Sequence, residues 1–192
     1  METTDAPIDI NIGLSQVGAG YAAARHLFGL GHVHIGQISA PHDSRSRKRI
    51  EGYTRAVEEF GAVPMVISLD QPSSVPLGGQ LLTELLARWP KATAVFCGND
   101  NLALGVLFEC QRRGIRVPED LAIIGFNDLE VSACSYPSLS SIDTPRYEMA
   151  HRAADIILEI IRGTGNRPEQ RQIDLGFRLI AHECTGKLSN LR

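Results

Sequence analysis

Short apolar runs alternate with amphipathic helical patterns along almost the whole chain, and this alternation limits the possible folds more than any other feature of the sequence. The apolar runs predict strands at 8–14, 32–39, 64–69, 92–97 and 120–126. The run DLAIIGF at 120–126 is apolar almost throughout, which is typical of a strand covered on both faces of its sheet. Strand–helix alternation at this spacing predicts an α/β fold with parallel, doubly wound sheets and right-handed crossovers.

Helices are predicted between these strands and after the last of them. Apolar residues at three- and four-residue spacing predict helices after Ser15 and at 46–60, 77–86, 101–113 and 147–162. Glycines predict where helices end, at Gly31, Gly114 and Gly163. Six residues of the last helix are predicted to point inward: Met149, Ala153, Ile156, Ile157, Ile160 and Ile161. The tail predicts two short strands broken at Gly176.

Size and charge exclude several classes of protein. The 192 residues are enough for one α/β domain or for two small lobes. The formal net charge is -3, whereas a domain that binds nucleic acid by itself usually carries a basic excess, so we do not expect this chain to bind DNA alone. The four cysteines have no CxxC spacing, and we expect free thiols in a reducing cytoplasm. No signal peptide and no run of about 18 apolar residues for a membrane span is visible.

Three polar loops each follow a predicted strand: APHDSRSRKR at 40–49, CGND at 97–100 and GFND at 125–128. In a doubly wound sheet the carboxyl ends of the strands face one crevice, so we expect these loops to converge. Guanidinium groups and several hydrogen-bond acceptors suit a polyhydroxylated ligand. An arginine can hold a carboxylate or vicinal hydroxyl groups through two parallel hydrogen bonds. The candidate residues are Asp43, Arg45, Arg49, Asn99, Asp100, Asn127 and Asp128.

Each of these loops also has a purely structural interpretation. The SRSRKR segment can be a solvated helix start, which periodicity alone favours. Asp100 can be a helix cap, and Asn127 and Asp128 can be turn residues. The repetition of polar loops after three strands favours a binding site instead.

Four longer segments form an ordered series: GAGYAAARHLFGLGHVHIGQISAP, RIEGYTRAVEEFG, AVFCGNDNLALGVLFECQRRGIRVPED and VPEDLAIIGFNDLEVSACSYPSLSSIDTPRYEMAHRAADIIL. The series resembles the effector-binding domain of LacI/GalR-type bacterial transcription regulators, over about residues 8–186. Within the family it is most similar to gluconate-operon repressors. They share the Asp43-Ser44-Arg45 loop, FECQRRGIRVPEDLAI at 108–123 and IDLGF at 173–177.

This resemblance implies a periplasmic-binding-protein-like fold of type I, with parallel doubly wound sheets in two lobes. Residues 1–38 and 143–162 would be the remnant of an incomplete amino-terminal lobe, and residues 39–142 and 163–192 the carboxy-terminal lobe. The family's DNA-binding helix-turn-helix has no counterpart in this sequence. Operator DNA would therefore be bound only through a missing amino-terminal region, and the family usually forms two-fold homodimers.

The resemblance also implies roles for three central residues. Arg49, three positions before Gly52, matches the arginine that anchors the effector, and Asn99 matches an asparagine that bonds effector hydroxyl groups. Asn127 stands where the family usually has Asp, and a neutral amide repels an anionic ligand less than a carboxylate does. We expect Arg49 to lie near solvent at a helix start, so that its replacement would remove effector binding and leave folding nearly intact.

Three further positions complete the implied effector site. Asp43 and Arg45 match loop positions that often touch the effector. Ser73, with Ser74, stands near the family's aromatic lid, so stacking against a ring is not expected. The implied partner is a small-molecule effector, with a sugar or a sugar acid such as gluconate as the leading class.

Two other functions fit parts of the sequence. A periplasmic sugar-binding protein would share the fold and the ligand class. A dinucleotide-dependent enzyme is indicated by GxGxxA at 18–23, but the expected acid is absent at 37–39, and close helix packing explains the small residues better. No GxSxG or HExxH motif occurs, and His32 and His34 are interpreted as structural. We therefore expect no catalytic residue, no cofactor and no metal site.

Overall fold

The computed structural model describes residues 9–41, 43–163 and 171–186, and strands and helices alternate in them as predicted. The strands are β1 (Asn11–Gly13), β2 (Ile35–Ser39), β3 (Met65–Ser68), β4 (Ala94–Cys97), β5 (Ala122–Asn127), β6 (Ser140–Asp143), β7 (Gln172–Asp174) and β8 (Arg178–Ile180). The helices are α1 (Gln16–Gly29), α2 (Ser44–Glu59), α3 (Val75–Arg88), α4 (Asp100–Arg113), α5 (Glu130–Cys134) and α6 (Arg146–Arg162). The short helix α5 was not predicted.

Polar side chains and glycines set the helix ends. The hydroxyl of Ser15 accepts a hydrogen bond from the Gly18 amide at 3.0 Å, which confirms Ser15 as the cap of α1. Asp43 caps α2 in the same way, so this helix begins at Ser44, two residues earlier than predicted. Gly114 and Gly163 follow α4 and α6 in the left-handed conformation, as their predicted role requires.

A six-stranded sheet with the order β3-β2-β4-β5-β6-β8 forms the centre of the molecule. Its first five strands are parallel, and β8 runs antiparallel to β6. The strands β1 and β7 form a separate parallel pair. Because β2, β4 and β5 are neighbours in one parallel sheet, the loops after them lie side by side, and the predicted α/β fold with parallel sheets is confirmed.

Apolar side chains cover both faces of the six-stranded sheet. On β4, Ala94 and Phe96 join the core beneath α1 and α2, whereas Val95 and Cys97 join the core beneath α3 and α4. The same alternation continues along β5, where Ile123 and Ile124 enter opposite cores. A strand between two helical layers has no polar face, which explains the continuous apolar run in the sequence.

Pairs of glycines allow the helices of each layer to cross closely. A Cβ atom on Gly20 would overlap the backbone carbonyl of Arg49, and one on Gly52 would overlap the carbonyl of Val17. In the other layer, Gly78 and Gly105 meet the backbone of α4 and α3 in the same reciprocal way. The small residues of the GxGxxA motif at 18–23 thus serve close helix packing, the interpretation preferred over a dinucleotide-binding motif.

The predicted boundary between the lobes at residue 38 does not follow the sheets. The strand β2 is hydrogen-bonded into the six-stranded sheet, and α1 packs on α2, so both belong with the larger unit. The strand β7, assigned to the carboxy-terminal lobe, pairs with β1 instead. Sequence periodicity identifies strands but carries no information on their partners. The smaller unit therefore consists of β1, β7 and α6, and its assignment as a lobe remains a prediction.

The apolar face of α6 is only partly buried. Met149 and Ile156 are buried, whereas Ile157, Ile160 and Ile161 are exposed, Ile161 by 74%. The prediction that all of them point into a core was therefore wrong. Within the described residues, α6 packs on β1 of the two-stranded sheet. A sheet of two strands is too narrow to cover the whole apolar face of this helix. None of the helices in these ranges is long and apolar enough to cross a membrane.

Candidate effector-binding site

Arg49 connects the loops that follow β4 and β5. Its guanidinium donates a hydrogen bond to the carbonyl of Gly98 and lies over the ring of Phe126, with Cζ 4.2 Å from the ring centroid. These two contacts are with the residues next to Asn99 and next to Asn127. The backbone segments that carry Asn99 and Asn127 therefore lie beside Arg49, at the ends of two neighbouring strands.

The environment of Arg49 differs from the expected one. Its relative exposure is 8%, because α2 lies close against α1 and turns this side chain toward the sheet. The expectation that Arg49 lies near solvent was wrong, whereas Ser44, Arg45 and Arg47 of the same segment are exposed. Exposed neighbours such as Arg45 and Arg47 make the segment look solvated as a whole.

Asn99 is held between α4 and the loop after β2. Its Oδ1 accepts a hydrogen bond from the Leu102 amide at 3.1 Å, and its Nδ2 donates to the carbonyl of Ala40 at 3.2 Å. Asn99 is therefore the cap of α4, and the alternative that Asp100 has this role is wrong. The side chain already orients the first and second polar loops relative to each other.

Asp43 and Arg45 form an ion pair at the start of α2. Asp43 Oδ1 accepts from the Ser46 amide at 2.8 Å, and its Oδ2 accepts from Arg45 Nη2 at 2.8 Å. Partial burial raises the pKa of Asp43, but the bonds from Ser46 and Arg45 outweigh it and lower the pKa to about 2. Arg49 Nε in turn lies 3.4 Å from the Arg45 carbonyl, which links this pair to Arg49.

Asn127 and Asp128 form a turn with positive φ angles of 107° and 50°. The Asp128 amide donates to the hydroxyl of Ser141 at 3.0 Å. Burial is the main cause that raises the pKa of Asp128, and the nearby carboxylate of Asp143 raises this pKa further. The turn interpretation of this pair is therefore correct in geometry, and the turn lies at the same end of the sheet as Arg49.

Ser73 lies in the loop between β3 and α3. It directly precedes Ser74, whose hydroxyl caps α3 by accepting from the Leu77 amide at 3.3 Å. Hydrogen bonds link Asp43 and Arg45 to Arg49, and whether these residues form one effector site with Asn99, Asn127 and Ser73 stays a prediction.

An open cleft of about 740 Å³ lies next to this site, between Asp128 and residues 175–178, and Arg49, Asn99 and Asn127 are not among its lining residues. Sequence reasoning missed its wall, which Asp143, Thr144 and Arg178 form with Asp128. Arg178 Nη2 lies 2.7 Å from Asp143 Oδ2, and the buried hydroxyl of Thr144 has no hydrogen-bond partner among the described residues. The polar residues after β6 are a fourth strand end of the same kind and could have indicated this wall.

His32, one of the two histidines considered as metal ligands, has a structural role. One ring nitrogen of His32 lies 3.1 Å from the Thr93 hydroxyl, and the other lies 3.1 Å from the Gly186 carbonyl. Burial lowers the pKa of this imidazole, which is consistent with a neutral ring in a hydrogen-bonded position. Within residues 9–41, 43–163 and 171–186, no three His, Cys, Asp or Glu side chains are grouped to hold a metal ion.

A family model described as a periplasmic binding protein-like domain matches residues 24–185 of this chain. The chain therefore belongs to the family of periplasmic binding protein-like domains. This result agrees with the parallel sheets and confirms the predicted fold class.

Named relatives identify the branch of the family to which the chain is similar. The HTH-type transcriptional regulator GntR of Pseudomonas aeruginosa is 45% identical over 176 residues, which cover 91% of this chain and 51% of the relative. The crystal structure of the transcription regulator GntR from Chromobacterium violaceum matches with a TM-score of 0.91 and 39% identity, over 96% of this chain and 68% of that one. The chain thus spans about half the length of the curated relative.

A ligand-bound structure also matches. It is a LacI family transcriptional regulator from Enterococcus faecium with bound ribose, with a TM-score of 0.85 and 26% identity, over 97% of this chain and 69% of that one. These relatives confirm the resemblance to LacI/GalR-type regulators, including the gluconate-type subgroup. They are named as transcriptional regulators.

Proposed function

We propose that this chain is the effector-sensing part of a bacterial transcription regulator that acts in the cytoplasm and binds a sugar or a sugar acid, with gluconate as the leading candidate. The observation that carries the proposal is the position of Arg49, whose guanidinium contacts the neighbours of Asn99 and Asn127. A forked cation and two amides at one edge of a parallel sheet suit a ligand with a carboxylate and vicinal hydroxyl groups.

The charges around the site favour an acidic sugar over a neutral one. Asp43 is paired with Arg45, and Asp143 is paired with Arg178, so two of the nearby carboxylates are neutralised. Asn127 adds no negative charge where the family usually has Asp. The ribose bound to a structural neighbour supports a sugar-like ligand in general, and the preference for an acidic sugar rests on the charges alone.

The effector would act by favouring one arrangement of two lobes that close over the cleft. A ligand shifts such an equilibrium only through its differential affinity for the two states, and a coupling of roughly 1–3 kcal/mol is enough for a useful switch. In the whole protein, the closure state would set the spacing of paired DNA-binding regions and thereby the affinity for operator DNA.

Isothermal titration calorimetry with D-gluconate and D-glucose tests the proposal. Arg49→Lys keeps the charge but loses the two-pronged geometry, so we expect gluconate to bind at least about tenfold more weakly than to the unaltered protein. Arg55→Lys is the matched control, because Arg55 lies on the same helix, is exposed and pairs with Glu59. Equal gluconate affinity of the two variants, both folded by circular dichroism, would place the site elsewhere.

We also propose that the protein forms a homodimer through the outer surface of α4 and α5. Phe108, Val131 and Tyr136 are large, exposed and apolar there, and Gln111 Nε2 donates to the Tyr136 carbonyl at 2.8 Å, which joins α4 to this segment. Sedimentation equilibrium tests this point. We expect Phe108→Glu to shift the protein toward a monomer and Val63→Glu, at an exposed apolar residue elsewhere, to leave the dimer intact.

A further inference from the structure

Asp100 is a buried carboxylate that the proposed contacts with an effector do not use. It is the first residue of α4, its relative exposure is 0%, and the cap of this helix is Asn99. Burial raises the pKa of Asp100, while hydrogen bonds from the Leu129 amide and the Ser141 hydroxyl act in the opposite direction. A buried acid that is not the cap of its helix and that accepts its hydrogen bonds from a backbone amide and a hydroxyl needs another reason.

The bonds of Asp100 lead to the turn that carries Asn127. Its Oδ2 accepts from the Leu129 amide at 2.7 Å, and its Oδ1 accepts from the Ser141 hydroxyl at 2.7 Å. The Ser141 oxygen accepts from the Asp128 amide at 3.0 Å. One carboxylate therefore binds, directly or through one hydroxyl, the two backbone amides that follow Asn127.

This turn needs such support. Asn127 and Asp128 both have positive φ, a region that side-chain-bearing residues adopt only when their surroundings hold them there. The neighbouring Gly125 makes room for the support, because a Cβ atom at that position would overlap Oδ1 of Asp100 and lie 3.3 Å from its Cγ. A glycine on β5 and an acid on α4 are thus fitted to each other.

We propose that Asp100 is a positioning residue of the effector site, which holds the Asn127–Asp128 turn so that Asn127 lies beside Arg49 and Asn99. This proposal rests on the proposed function, since it assigns a purpose to the turn. Asn99 and Asp100 are consecutive, so the start of α4 would fix the positions of the second polar loop, 97–100, and the third polar loop, 125–128, relative to each other. Asp100 itself would touch no effector.

Four variants separate positioning from a general effect on stability. Asp100→Ala removes both acceptors, Asp100→Asn keeps one oxygen, and Gly125→Ala displaces the carboxylate without removing it. Tyr53→Phe is the matched control, because its buried hydroxyl bonds the Ile35 carbonyl at 2.6 Å and the Met65 amide at 3.1 Å, at the opposite end of the sheet.

Two readouts are needed for each variant: amide hydrogen exchange at Asp128 and Leu129 by NMR, and affinity for D-gluconate by calorimetry. For Asp100→Ala and Gly125→Ala we expect exchange at Leu129 to accelerate, and gluconate affinity to fall, at least about tenfold beyond any change in Tyr53→Phe. Asp100→Asn should lie between these variants and the unaltered protein, since its remaining oxygen can still accept from Leu129.

Three outcomes would overturn the proposal. Exchange at Leu129 in Asp100→Ala that matches Tyr53→Phe would show that Asp100 does not hold the turn. Faster exchange with unchanged gluconate affinity would show that the turn is structural. Failure of the unaltered protein to bind gluconate, with a protected Leu129 amide, would overturn the proposed function itself, and the intact protection distinguishes this result from the first.

Discussion

Gly52→Ala places a methyl group where α1 and α2 cross. The new Cβ would overlap the Val17 carbonyl oxygen and lie 2.8 Å from both the Val17 carbonyl carbon and the Tyr21 amide nitrogen. The carbonyl oxygen is the closest of these atoms, and carbon and oxygen in contact are about 3.3 Å or more apart, so the two helices must separate by more than about 1 Å. Both sides of this contact are backbone, and neither can turn aside as a flexible side chain could.

The cost of this separation can be estimated. Overpacking in a close contact costs about 3 kcal/mol at the upper end of its range, and alanine recovers about 1 kcal/mol of helix propensity relative to glycine. The net loss of about 2 kcal/mol corresponds to a fall in Tm of roughly 4–8 °C for a protein of this size. Differential scanning calorimetry and urea denaturation measure it. Arg49 lies on the displaced helix, so gluconate affinity should fall as well.

Gly29→Ala is the control for Gly52→Ala. Gly29 also lies on a helix of this crossing, but it is exposed, and no atom beyond its own helix and chain neighbours lies within 4 Å of its Cβ position. Helix propensity alone then applies, and stability should rise by up to about 1 kcal/mol. If both substitutions shift Tm in the same direction, the crossing does not depend on the absence of a side chain at Gly52.

Three further outcomes are expected. Arg49→Ala should lower the free energy of unfolding in urea by about 2 kcal/mol, because the Gly98 carbonyl loses its donor and Phe126 its cation; a loss below about 0.5 kcal/mol would contradict its burial. The pKa of Asp43 falls from 3.8 to about 2 on folding, so its contribution to stability is complete above about pH 4 and is lost as the pH drops toward 2. That acid-dependent part should vanish from the pH profile of Asp43→Asn. Ile156→Ala should cost about 2–4 kcal/mol by urea denaturation and Ile157→Ala less than about 0.5 kcal/mol, and equal costs would contradict the exposure of α6.

Sequence periodicity predicted the strands and helices well because each element buries one regular pattern of side chains. It also indicated the polar loops after β2, β4 and β5, since residues at the ends of parallel strands need no knowledge of distant partners. The burial of Arg49 was not predictable in this way. The rotation of α2 about its axis depends on Gly20 of α1, which lies 29 positions earlier in the chain.

The parts of the site that were missed depend on pairing between distant segments. Arg178 reaches Asp143 because β8 runs antiparallel to β6, and no local pattern specifies that register. The division of strands between the units depends on such pairing as well, since β1 pairs with β7 more than 150 residues away, and the predicted lobe boundary stays a prediction. The exposed side of α6 shows a further limit, because a helical pattern reveals an apolar face but not how much of it is covered.

The smaller unit is joined to the large sheet by three short connections. They are residues 14–15 between β1 and α1, residues 144–145 between β6 and α6, and residues 175–177 between β7 and β8. Ile12 of β1 and Met149 and Ile156 of α6 belong to the same apolar core as Phe126 of β5, so a swing of β1, β7 and α6 would have to slide across that core. Pro145, whose ring restricts φ, stiffens one of the three connections, whereas Gly176 loosens another. Backbone rotation is therefore easier at Gly176 than at Pro145.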